Sequence, residues 1–76
     1  MFYTQMPPAP AGFHPDPMSL GKVLSAPWQS DAWIRRVGGQ QTYLLRALNM
    51  LTGQVLTAQS DRYEVAGDHL CKLVNP

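Results

Sequence analysis

One stretch decides the fold of this chain: Gln40–Gln59, QQTYLLRALNMLTGQVLTAQ. As a helix, it places Tyr43, Ala47, Met50 and Leu51 at helical spacing, and Leu44, Leu48 and Leu51 as well. Its leucines, alanines and glutamines favour that state. As strands, Thr52-Gly53 splits it into two runs of ordinary strand length. Residues 42–48 then put Tyr43, Leu45 and Ala47 on one face and Leu44, Arg46 and Leu48 on the other. The glycine inside the run favours the strands.

Working outward, Ala32-Trp-Ile-Arg-Arg-Val37 reads as a strand ended by Gly38-Gly39, and paired glycines between strand-like runs signal a hairpin. Lys22–Ala26 reads as a first strand, broken off by Pro27. Val55–Ala58 reads as a fourth, Gly67-Asp68 as a tight turn or short 3₁₀ segment, and Cys71–Val74 as a fifth. The expectation is an all-β domain over residues 20–76. Residues 1–19 hold Pro7, Pro8, Pro10, Pro15 and Pro17, five of the seven prolines. Proline fixes φ and removes a donor, so this stretch reads as a flexible leader barred from a central sheet. Within it Met-Pro-Pro-Ala-Pro, residues 6–10, fits either a ligand for an aromatic-lined groove or a plain linker, and the linker is favoured.

Seventy-six residues suffice for one domain with a modest core. Six basic and five acidic side chains give a net charge of +1, so any binding to nucleic acid must rest on local clustering of charge. Cys71 is the sole cysteine, which leaves no intrachain disulfide and points to a reducing compartment, nucleus or cytoplasm. No run approaches the roughly 20 apolar residues of a membrane span, and the first residues lack the basic and apolar regions of a secretory signal. The expectation is a soluble intracellular protein with no membrane partner.

Taken in order, Pro27-Trp28-Gln29, Trp33-Ile34, Val37-Gly38, Thr42-Tyr43-Leu44-Leu45-Arg46, Thr52-Gly53-Gln54-Val55-Leu56 and Gly67-Asp68-His69-Leu70-Cys71-Lys72-Leu73 resemble the C-terminal domain of retroviral and gypsy-type LTR-retrotransposon integrases. The likeness lies in the order of these pieces, and it spans about three quarters of the chain. This sequence departs from the family at Ser30-Asp31-Ala32, at Val65-Ala66 and at Leu70-Cys71-Lys72-Leu73, and it is less basic. The resemblance implies a five-stranded SH3-like β-barrel that binds double-stranded DNA without sequence preference and self-associates. It implies no catalytic residues, since the family's carboxylate triad lies in another domain.

On this reading the candidate nucleic-acid contacts are Lys22, Arg35, Arg36, Arg46 and Arg62. Arg35 and Arg36 point to opposite faces of their strand, so only one can join Arg46 in a phosphate-binding pair; a solvated strand face is the plainer reading. The alternative is a protein-interaction module, a homo-oligomer or one docked on a host partner, that uses Trp33, Leu44, Leu48, Met50 and Leu56. Trp28 and Tyr43 are expected in the core and Trp33 partly exposed. His14, His69 and Cys71 fall short of the four ligands of a structural zinc site, and Ser25, Ser30 and Ser60 have no evident base. Neither enzyme activity nor a metal or other cofactor is expected.

Overall fold

Glycines with positive φ set the reversals of the sheet. Gly38 and Gly39 have φ of 58° and 78°, the two left-handed residues of a tight hairpin whose twist suits the flanking strands. They join β2 (Trp28–Val37) to β3 (Gln40–Asn49), ten residues each and paired antiparallel throughout. At the next reversal Gly53 has φ of 80° and donates to the Asn49 carbonyl at 2.8 Å. The Asn49 side-chain Oδ1 accepts from the amides of Leu51 and Thr52 at 2.9 and 3.1 Å. β4 (Val55–Ser60) then returns against β3. Residues 40–59 are therefore two antiparallel strands, and the helical alternative is excluded.

The computed structural model describes residues 5–16 and 24–76. The sheet has the order β1-β2-β3-β4, with β1 (His14–Pro15) on the outer edge of β2. A two-residue edge strand tolerates Pro15, since an edge position has a side on which no donor is needed.

The final element is a helix, α1 (Tyr63–Val74). This corrects the expected fifth strand at Cys71–Val74 and the expected turn at Gly67-Asp68. Tyr63, Ala66, Gly67, Leu70 and Val74 recur at helical spacing, and Ala66, Gly67 and Leu70 are buried against the sheet. Glu64 in the first turn and Lys72 in the last complement the helix dipole. Residues 24–26 of the expected first strand are not strand, and Lys22 and Val23 lie outside the described residues. The outcome is a β-rich domain of four antiparallel strands in an open sheet with one helix across it, not a closed five-stranded barrel.

The core lies between α1 and one face of the sheet, where Leu45, Ala47 and Ala58 meet Ala66 and Leu70, flanked by Trp28, Tyr43 and Tyr63. Burial of each leucine here contributes about 1.5–3 kcal/mol. The rings of Tyr43 and Tyr63 meet edge to face, centroids 5.9 Å apart. The opposite face is covered as well. Leu44 and Leu48 point there, yet they are 8 % and 1 % exposed.

Candidate nucleic-acid interface

Strand lengths create an overhang at one end of the sheet. The β2–β3 ladder runs out to Val37 opposite Gln40, whereas β4 stops opposite Tyr43 and β1 reaches only Trp33 and Ile34. The pairs Arg35–Thr42, Arg36–Gln41 and Val37–Gln40 therefore project as a two-stranded ribbon capped by Gly38-Gly39. At about 3.4 Å per residue the three pairs extend roughly 10 Å. All of residues 35–41 are exposed. The ribbon carries two arginines, two glutamines and no acid.

Alternation places Arg35, Val37, Gln40 and Thr42 on one side of the ribbon, where they line a shallow groove. Arg36 and Gln41 lie on the other. Phe13 covers one side of the Arg35 guanidinium, whose Cζ is 5.1 Å from the ring centroid, and so holds it against the ribbon. Gln41 continues into a second groove with Arg62, at the start of α1, together with Asp61 and Glu64, which dilute the positive field on that side.

Arg46 has a different setting. It sits opposite Asp31 in the ladder, and its Nε donates to Asp31 Oδ1 at 2.9 Å while Nη2 donates to Oδ2. Nη1 donates to the Pro8 carbonyl at 2.9 Å, and Cζ lies 5.4 Å from the Trp33 ring centroid. Arg46 is 5 % exposed. A guanidinium whose charge is paired with Asp31 and which is almost fully buried is not presented to a phosphate, so the structure does not bring Arg46 and Arg35 together as a phosphate clamp. Lys22 lies outside the described residues. Of the five basic candidates, Arg35 and Arg36 share the ribbon and Arg62 lies on the flank beside Gln41.

The candidate interaction residues do not form one patch either. Leu44, Leu48 and Trp33 share the face opposite α1, Leu56 packs against the core beneath α1, and Met50 is exposed in the β3–β4 loop. Sequence reasoning missed the roles of Asp31 and Pro8. Asp31 was within reach of it: counting outward from a two-residue turn at Gly38-Gly39 puts Asp31 opposite Arg46.

Cys71 borders a cavity of about 200 Å³ between α1 and β2, which Asp16, Leu24, Ala32, Leu45 and Leu70 also line. Among the described residues no three histidine, cysteine or acidic side chains cluster as a metal site would require, and no helix is long and apolar enough to cross a membrane. Comparison of the chain with protein-family models, with curated proteins and with solved structures finds no match.

Proposed function

We propose that the chain is a non-enzymatic nucleic-acid-binding module that engages double-stranded DNA weakly through the β2–β3 ribbon. The observation that carries this reading is the projecting ribbon itself, exposed from Arg35 to Gln41, bearing two positive charges and no negative one. The major groove of B-DNA is about 12 Å wide and admits a two-stranded ribbon. Arginines at such a tip neutralise phosphates or read guanine edges, and glutamines can pair with adenine. Arg35, Arg36 and Arg62 are the contacts in this reading, while Arg46 holds the sheet and its leader together. The argument rests on the ribbon and does not need integrase kinship, whose pattern expects a strand where α1 lies. The test is a nitrogen-15 NMR titration of the full chain with a short mixed-sequence duplex. Saturable shifts confined to residues 35–42 and 62 support the reading; shifts elsewhere, or none, refute it.

A second reading, self-association, is favoured by β4. Among the described residues no strand pairs with its outer edge, and Val55–Ser60 carries no charge and no proline to block pairing. Beside that edge Val65 and Leu73 are exposed at 37 % and 49 %, with His69 between them on one flank of α1. A second copy placed antiparallel pairs edge with edge and sets Lys72, in the last turn of α1, toward the start of the neighbouring helix, where Asp61 and Glu64 lie. Sedimentation equilibrium distinguishes the outcomes. A dimer that Thr57→Lys or Leu73→Glu converts to monomer supports this mode; a monomeric parent chain rules it out.

A further inference from the structure

The sheet face opposite α1 carries a built contact for a proline-rich segment. Residues 6–10 are tied to it through the Pro8 carbonyl, which accepts from Arg46 Nη1 at 2.9 Å, and Met6, Pro7 and Pro10 are half-buried. The segment leaves through a turn in which the Phe13 amide donates to the Pro10 carbonyl at 3.1 Å, with Gly12 at φ 80°. The strand register places Trp33, Leu44 and Leu48 on the same sheet face as Arg46. The Arg46–Asp31 pair is neutral as a unit, so this face presents one outward-facing donor with an aromatic ring and two leucines. This is the chemistry that takes up proline-rich chain: flat apolar contact for the rings, and a donor for the carbonyls that no proline amide competes for.

The fit of the chain's own segment is incomplete. Trp33 Nε1 is buried and has no hydrogen-bond partner among the described residues. A buried N–H left unpaired has lost its water without gaining a protein acceptor, which is unfavourable. A ligand that places a carbonyl at this atom recovers that loss, and the leader does not.

We propose that this face is a docking groove for an uncharged proline-rich segment of another protein, with Met6–Pro10 as the occupant it displaces. The ligand accepts a hydrogen bond from Trp33 Nε1, from Arg46 Nη1, or from both. A tethered occupant competes at an effective concentration in the millimolar range, so binding in trans is weak while the leader is intact and strengthens when it is loosened. This inference uses Trp33 Nε1 and Arg46 rather than the ribbon's Arg35 and Arg36, and the two surfaces adjoin where Phe13 covers Arg35.

The experiment follows the Trp33 indole N–H of the nitrogen-15-labelled full chain by NMR. Two probes are titrated: a synthetic peptide of residues 5–12, and an uncharged Ala-Pro-Pro repeat peptide of equal length. Each is added to the parent chain and to a Pro7→Gly/Pro10→Gly variant, which weakens the leader but keeps the Pro8 carbonyl. The expected result is a saturable shift of the indole N–H by the repeat peptide, with a Kd at least ~5-fold lower in the variant, as release from an intramolecular competitor requires. If the variant does not fold, the parent chain at high peptide excess must still show the shift. Absence of a saturable indole shift in the folded variant, or in the parent chain if the variant is unfolded, overturns the proposal. A shift with the residue 5–12 peptide but none with the repeat peptide also overturns it, since the groove then recognises only its own leader.

Discussion

Replacing Asp31 by alanine should be far more damaging than replacing its partner, because the two ends of the pair differ in burial. The Arg46 side chain is 6 % exposed and the Asp31 side chain 26 %. Asp31→Ala removes two hydrogen bonds and strands a cation beneath the leader, where water cannot easily replace the carboxylate. Removing one partner from a buried pair costs about 3–5 kcal/mol, and the lower end applies here because Asp31 keeps some water. Arg46→Met leaves the more accessible aspartate to rehydrate and fills the vacated space with an apolar chain, but it loses the bond to Pro8 and the contact with Trp33. The expected cost is about 1–2 kcal/mol. A chain of 76 residues has a total stability of roughly 4–11 kcal/mol, so Asp31→Ala consumes much of it. Urea unfolding followed by tryptophan fluorescence measures the difference; with a slope near ~1 kcal/mol/M the midpoint should fall by about 3 M. The double variant should be more stable than Asp31→Ala alone, because it no longer buries an unpaired charge. If Asp31→Ala costs under about 1 kcal/mol, or if the two single costs simply add, the buried-charge reasoning is wrong.

Further expectations concern the turns and the core. Gly39→Ala places a side chain at φ 78° and should cost about 1 kcal/mol in denaturant unfolding, whereas Gly38→Asn, which gives the Asn-Gly pair this turn type prefers, should be close to neutral. Asn49→Ala leaves the amides of Leu51 and Thr52 without their acceptor; a loss of about 1 kcal/mol is expected, tempered by the exposure of the loop. Leu70→Ala opens a cavity between α1 and the sheet, where Leu70 is 3 % exposed, and should cost about 3 kcal/mol in the same assay.

Much of the sheet was legible because local signals agreed. Gly38-Gly39 and Thr52-Gly53 marked both reversals, and alternation from Thr42 to Leu48 assigned the faces. The C-terminal helix was not legible from the same kind of signal. Gly67 and Asp68 resemble a turn in isolation, yet Gly67 lies in the helix interior on the side packed against the sheet, a tertiary gain that local propensity does not register. Arg46 shows a second limit. An arginine alternating with leucines on a strand reads as a solvated face, and the cover that buries it comes from Pro8, 38 residues earlier in the chain. Charge counting could not separate Arg46 from Arg35 and Arg36. The strand register, once fixed by the turn, does separate them.

That division of the arginines between ribbon and sheet is tested most directly by the salt dependence of DNA affinity, measured by fluorescence anisotropy on a labelled duplex. Each phosphate-neutralising arginine contributes about 0.9 to the slope of log affinity against log salt. Arg35→Ala/Arg36→Ala should lower the magnitude of that slope by about 1.8, and Arg46→Met should leave it unchanged. A slope whose magnitude does not fall on loss of both ribbon arginines, or that falls with Arg46→Met in a folded protein, contradicts the account.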